Sequence, residues 1–567
     1  MKYFQSKVLK ALVVVTVMAL LLAACAPAAT PTPVPPTAAP KAAEPTKAPA
    51  PSPVPTKAPE PTATKPPEPT KAPAPTVAPT KPPELRTKAN TPDTLIVAIN
   101  GQPARLLPSQ AVGRLNEVIN SQMYQSLVTH DKDGKLIPLL AESYKNIDPT
   151  TWEFKLRPNV KFSNGTPLTA EDVRFTIEET ILPQALNSPH RIFMSVIKQV
   201  QVIDPLTFRI ITNSPDSILP LRVFDIHGSV ISKDQYLKVG AANYDKEAIG
   251  AGPYKLVEWV KDSHIRLVAN DLYWGNKPAY KNLVIKFVVD DAARVASLLA
   301  GEVDLISNVP PTRVDEISAN KDLQVLTAGS TRAYFMVIDS TRKPFDDKRV
   351  RQAVVYALDR DALVKAVARG YGVPVPLLFI PQTFGFNADL KPTYDPVKAK
   401  QLLTDAGYPN GFDTEFDSFT GSIVDHSKLA EAIVGQLAKV GIRAKLNVVD
   451  FGVFGPKRLA NQTAPLYNYS FGDAYFDHGV NIPTFLSGKN GYYFTDAKMS
   501  EKFTKAIGTF DDKERAKLYK ELQAEFYEQA VMPGQYQIVQ IWASQKTVDY
   551  TPQVDEMWRL FQAKPKK

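Results

Sequence analysis

A chain of 567 residues, 44% hydrophobic and 22% charged, is long enough to bury a core in more than one lobe. Its single cysteine excludes intramolecular disulfides, so stability has to come from packing. Of the net charge of +9, three charges precede Cys25 and two fall in residues 26–84. About +4 remains for the rest, scattered among acids, which excludes the basic stripe of a nucleic-acid binder.

The chain opens on Lys2, Lys7 and Lys10, followed by residues 11–22, apolar apart from Thr16, and then Leu22-Ala23-Ala24-Cys25. A positive start, a short apolar segment and small residues at a cut site are the parts of a secretory signal, here residues 1–24. The segment is too short to span a bilayer comfortably as a helix. The Leu-Ala-Ala-Cys ending resembles the lipobox of bacterial lipoproteins. That resemblance implies cleavage before Cys25, diacylation of Cys25, and a protein held by lipid on the extracytoplasmic side of a cell membrane, in a periplasm or on the outer face. Two acyl chains suffice for stable anchoring. An ordinary signal peptide that happens to contain a cysteine is the competing reading; the place of the sole cysteine at the cut favours the lipobox.

Residues 26–83 hold 21 of the 50 prolines and no aromatic residue. Such a tract cannot bury enough surface to fold, and it favours extended polyproline II. At about 3.1 Å per residue it would reach roughly 180 Å. The expectation for 25–84 is therefore a lipidated cysteine followed by a disordered spacer.

From about residue 91 the composition becomes globular. Strands are predicted at 94–99, 152–156, 264–268, 283–289 and 334–338 from apolar or alternating runs. Thr169 with Asp172 three residues on reads as a helix start. A short helix is predicted over 292–300, stopped by Gly301. A single amphipathic helix is predicted over 347–369, capped by Asp346. Further helices are expected near 396–406, 427–440, 497–507 and 511–530. The mixture indicates an α/β or mixed α+β fold with more than one lobe.

The motifs of catalysis are missing. Six histidines stand singly, with no His-x-x-x-His and no Cys/His set, so neither a metal site nor a cofactor is expected. No Gly-x-Ser-x-Gly elbow and no phosphate-binding Gly-x-x-x-x-Gly-Lys-Ser/Thr occurs. Gly250-Ala-Gly252-Pro253 begins like a dinucleotide loop and is broken by its proline. The weight falls on binding, and the chain is expected not to be an enzyme.

Several stretches resemble signatures of the family 5 (peptide/nickel/opine-type) extracytoplasmic solute-binding proteins of ABC importers. The most specific is Trp152-Glu-Phe-Lys-Leu-Arg157-Pro-Asn-Val-Lys-Phe162-Ser-Asn-Gly165, continuing to Val173. Others are Asp133-Gly-Lys-Leu-Ile-Pro138, Leu299-Ala-Gly301-Glu-Val-Asp304, and Pro344-Phe-Asp-Asp-Lys-Arg-Val-Arg351 with Ala357-Leu-Asp-Arg360. They run in the family's order over about residues 93–550.

The resemblance implies a two-lobed periplasmic-binding-protein fold closing over a solute. Lobe 1 would be 91–333 with an extra subdomain over 142–247, lobe 2 would be 334–535, and 536–567 would return to lobe 1. The partners implied are an oligopeptide or similar amphiphilic solute, ABC permease subunits, and the membrane through the lipid; the chain itself is expected to be a monomer. A nickel or metallophore receptor, an oligosaccharide receptor and, further off, a surface hydrolase are the alternatives.

In peptide-binding members an Asp in the loop matching Tyr469–Gly479 pairs with the ligand α-ammonium. This makes Asp473 or Asp477 the candidate, with Tyr475, Phe476 and His478 beside it. Here Phe471 stands where the family often has Trp, and His478-Gly479 replace its Asp-Pro. The stretch Leu107-Pro108-Ser109 matches a second cleft wall, and Tyr124 is a candidate stacking surface.

Overall fold

The computed structural model describes residues 92–566 apart from 112, 187 and 421–424. The signal segment, Cys25 and the Pro-rich tract lie outside the described residues.

Thr94–Ile99 is buried from Leu95 onward. It pairs in parallel with Asn282–Phe287 on one side and Leu305–Ile306 on the other. An apolar run without alternation belongs in such a doubly flanked position. These strands are part of an eleven-stranded sheet. Its order is Tyr254–Val260, His264–Ala269, Asn282–Phe287, Thr94–Ile99, Leu305–Ile306, Gly534–Gln545, Leu323–Ile338, Leu466–Gly472, Phe412–Thr420 and Ile442–Asp450, with Gly372–Pro374 added beside Gly534–Gln545.

Two long strands join the halves of this sheet. Leu323 to Gly329 pair with Gln545 to Val539, whereas Arg332 to Ile338 pair with Gly472 to Leu466. The register shifts between Gly329 and Ala333. Sequence reasoning found only the second part of this strand. The first part is largely half-buried, with Gly329, Ser330 and Thr331 at its end, and the neighbouring strand supplies its order.

A separate antiparallel sheet, Ala141–Asp148, Thr151–Leu156, Thr207–Thr212 and Ile197–Asp204 in that spatial order, covers its own core of Phe154, Phe208, Leu156 and Val173. Thr169 and Asp172 cap the helix Ala170–Arg174, the Asp172 carboxylate accepting from the Thr169 amide at 2.9 Å.

The predicted helix over 347–369 is two helices, Lys348–Ala357 and Arg360–Ala366, and the cap of the first is Asp347 rather than Asp346. Leu358 is extended and Asp359 caps the second helix through the Ala362 amide. The break has a physical cause. Arg360 is buried, and its guanidinium donates to the carbonyls of Leu358 (3.1 Å), Thr393 (2.9 Å) and Gly534 (2.7 Å). A continuous helix would have used the Leu358 carbonyl internally. The helices predicted further on form as Pro396–Asp405, His426–Lys439, Ala497–Ile507 and Asp512–Gln529.

Candidate functional site: a cleft between the two halves of the sheet

A cavity of about 530 Å³ opens where the long strands pass from one half of the sheet to the other. Its lining comes from both sides. Asn100, Arg114 and Asn308 belong to the first half, Phe451, Tyr469 and Ser470 to the second. Arg332, Tyr334 and Tyr536 come from the bridging strands, and Glu556 and Trp558 from the tail. The size falls within the usual range for small-molecule sites, and so does the mixture of aromatic walls with a few placed charges.

The charges are arranged by backbone geometry. Glu556, at a left-handed φ of 61°, meets Arg332. Its carboxylate accepts from Arg332 Nη2 at 2.8 Å and Nε at 3.1 Å and from Ser330 Oγ at 2.5 Å, with Arg114 Nε 3.5 Å away. Burial pushes this carboxyl up, but Arg332 and Arg114 outweigh it and hold the group below the usual glutamate range. Arg114 is shared with Glu117 at 2.6 Å. On the opposite half, Asp425 lines the cavity and pairs with Lys428 at 2.7 Å. Burial raises the Tyr334 and Tyr536 phenols, so both stay neutral donors. Arg458 lies 4.8 Å above the Tyr469 ring.

None of the seven residues singled out from sequence lines this cavity. Five of them share one loop that follows Leu466–Gly472. Asp473 is buried; its amide donates to the Thr331 carbonyl at 3.1 Å, Oδ1 accepts from the Tyr475 amide at 3.1 Å, and Oδ2 stands 2.7 Å from His478 Nδ1. Asp477 caps a short turn through the Gly479 amide and pairs with the Arg515 guanidinium. The Tyr475 hydroxyl is hydrogen-bonded to His227, Phe476 packs on His130, and His478 packs on Phe379.

The loop thus inserts into the antiparallel-sheet unit, where Ala474, Tyr475 and Val480 join the core. Ser109 is buried next to this region, its carbonyl accepting from Ser188 Oγ at 2.6 Å. Tyr124 sits apart, in the core of the first half with Tyr244 and Trp558. The cleft surface expected of it is supplied instead by Tyr469, Phe451 and Trp558. The resemblance covers Tyr469, but the residues it points to lie beyond the strand Leu466–Gly472. Arg332 and Glu556 carried no signal, because they meet across 224 residues.

The profile of the bacterial extracellular solute-binding proteins, family 5 (middle), matches residues 135–493. The chain belongs to that family. This family 5 protein is 29% identical over 453 residues to the glutathione-binding protein GsiB of Escherichia coli K12, covering 76% of this chain and 86% of GsiB. It is 29% identical over 480 residues to heme-binding protein A of Haemophilus influenzae Rd, covering 78% and 87%. The PBP AgaA from A. tumefaciens R10, solved with agropinic acid, superimposes with a TM-score of 0.74 at 26% identity, over 84% of this chain and 99% of AgaA.

The fold is accordingly the mixed α/β, two-lobed one of periplasmic binding proteins. Family 5 proteins are extracytoplasmic solute receptors of ABC importers, and this chain is a transport receptor rather than an enzyme. No helix among the described residues is long and apolar enough to cross a membrane.

Proposed function

We propose that this receptor captures oligopeptides, or a similar amphiphilic solute, in the cleft between its lobes and hands them to an ABC permease. One observation carries the reading: a single 530 Å³ cavity is walled by Tyr469, Phe451 and Trp558 and carries Arg332, Glu556 and Asp425 among its lining. Such a set offers apolar area to side chains and both signs of charge to a zwitterion. GsiB, a relative at 29% identity, is named for glutathione, itself a tripeptide.

The lobes would move about the register shift at Gly329–Ala333 and the facing part of Gly534–Gln545. Lobe 1 is then 91–333 with its subdomain over 142–247, lobe 2 is 334–535, and the tail returns to lobe 1. Asp473 is the proposed anchor for a cationic group on the solute, with Asp477, Tyr475, Phe476, His478 and Ser109 around it. Its support is that Asp473 Oδ2 is buried, 2.7 Å from His478 Nδ1. Gly472, next to Asp473, abuts the Arg332–Glu556 pair on the cavity wall. The protein works as a monomer tethered through lipid on Cys25 and the Pro-rich spacer.

Native mass spectrometry of the mature protein, purified from its own host without refolding, tests this. A ladder of bound peptides that Asp473→Asn loses is the expected result. A single chelate or sugar mass would retire the peptide assignment.

A further inference from the structure

The loop that lobe 2 inserts into lobe 1 meets histidine there. The Tyr475 ring stacks on His227 with centroids 5.6 Å apart and planes at 15°, and its hydroxyl is hydrogen-bonded to His227. The other neighbours of that imidazole are Phe193, stacked at 4.5 Å, and His190, edge-on at 4.7 Å. One residue further along the loop, the Phe476 ring lies 5.0 Å from His130, which Phe224 meets edge-on at 4.4 Å. Three of the six histidines of the chain are therefore buried against each other or against aromatic rings where the two lobes touch.

The charged surroundings decide what protonation does there. His227 faces two cationic or potentially cationic groups, His190 and Arg114, with Tyr475 as its hydrogen-bond partner. An added positive charge on His227 would be desolvated and repelled. His190 is held by the Pro108 carbonyl, 2.9 Å from its Nε2, so that nitrogen carries a hydrogen; the bond favours the cation, and burial opposes it. His130 faces Asp555, Asp473 and Asp131, which favour its cation, and Arg559, which opposes it; burial prevails and lowers it to about 4. Burial lowers His190 to about 4 and, with His190 and Arg114 adding to it, drives His227 well below its ordinary value.

We propose that this histidine–aromatic seam is a proton-operated latch. The lobes close only while His227 and His130 are neutral, so acidification opens the receptor and releases its solute. The latch rests on the reading of this chain as a receptor whose lobes close. In an open protein the two rings would reach water and titrate near 6.5. The sign follows from that difference. Histidines lowered in the closed form favour closure above about pH 6.5, and the advantage is lost as pH falls below it. Between pH 7.5 and 5.5 each histidine that must shed its proton weakens closure about tenfold, so the pair gives up to about a hundredfold. Arg114, which lines the cleft, also opposes a positive charge on His227.

The test uses the full mature protein with the solute that copurifies with it. Small-angle X-ray scattering reads lobe closure and native mass spectrometry reads retained solute, at pH 7.5 and 5.5. Wild type should be compact and loaded at pH 7.5, and extended and empty at pH 5.5. The His130→Gln/His227→Gln double variant should stay compact and loaded at both. A wild type that stays compact and loaded at pH 5.5 overturns the latch while leaving the closing receptor in place, and so does a double variant that opens as wild type does. A protein extended at both pH values, with or without the substitutions, overturns the closing reading and the latch with it. Imidazole carbon-bound proton resonances of wild type give a check that needs no variant. His227 and His130 should titrate only together with opening, and titration near 6.5 in a compact protein would refute the latch.

Discussion

Glu556 and Arg332, 224 residues apart in the chain, meet on the wall of the cleft, with the carboxylate bound to both Nη2 and Nε of the guanidinium. Arg332 stands at the register shift of a strand that joins the two halves of the sheet, and Glu556 stands in the C-terminal tail. The pair ties the tail to the long strand and holds a cation on the cavity wall.

Glu556→Gln keeps the shape and removes the charge. Urea unfolding should show a loss of about 2 kcal/mol, the usual worth of hydrogen bonds to a charged group. Glu556 is held below the ordinary glutamate value by Arg332 and Arg114 against the upward push of burial. Its contribution is therefore present above the ordinary value of 4.5 and is lost as pH falls through the lower value it has in the folded protein. The difference between wild type and Glu556→Gln, measured from pH 7 to 3, should shrink toward zero at the acid end. A constant difference would mean that shape, and not charge, is what the residue supplies.

What was legible in the sequence follows from what is local. The capped helix start at Thr169 depends on Asp172 three residues on, and the chain shows it directly. The buried strand Thr94–Ile99 is a continuous apolar run. The cleft is different in kind. Its cations and carboxylates come from residues near 114, 332, 425 and 556, brought together by strands that cross between lobes. No spacing rule joins them. The loop at 473–478 was found by resemblance, yet resemblance could not show that Tyr475 and Phe476 turn into the subdomain, because their partners lie near residues 130 and 227.

Arg360 shows how one buried polar side chain can overrule helix propensity. Arg360→Met keeps a flexible stem of similar bulk but leaves the carbonyls of Leu358, Thr393 and Gly534 without that donor. Burial already lowers the Arg360 guanidinium to about 10, a sign of how much desolvation the native contacts must offset. Arg360→Met should cost about 3 kcal/mol in equilibrium unfolding. Hydrogen exchange should become faster first at the Asp359–Arg360 break and in Gly534–Gln545, where the guanidinium joins helix and strand.

The aromatic wall of the cleft should matter to solute more than to folding. Tyr469 is half-buried, lines the cavity and lies under Arg458. Tyr469→Leu retains apolar bulk and removes the ring face and hydroxyl. Calorimetric titration with the copurified solute should show about a fivefold weaker Kd, in line with an aromatic contact worth about 1 kcal/mol beyond area. The unfolding midpoint should move little. Equal loss of affinity and stability would assign Tyr469 to packing alone.

The loop that reaches lobe 1 is held from behind by the Asp477–Arg515 pair. Arg515 projects from the long helix Asp512–Gln529, covers the Phe384 ring at 3.9 Å, and also pairs with Asp512 at 3.0 Å. Asp477 spends its other oxygen on the Gly479 amide at 2.8 Å. Both partners of the pair are nearly buried, so removing Arg515 strands the Asp477 carboxylate. Arg515→Met should destabilise by about 3–5 kcal/mol. Arg515→Met combined with Asp477→Asn should recover a sizeable part, because the stranded carboxylate is gone. A coupling energy near zero in that double-mutant cycle would mean that the loop is held by its apolar contacts at Ala474, Tyr475 and Val480. Strong coupling would make the ion pair the brace that aims Tyr475 and Phe476 at the histidines of lobe 1.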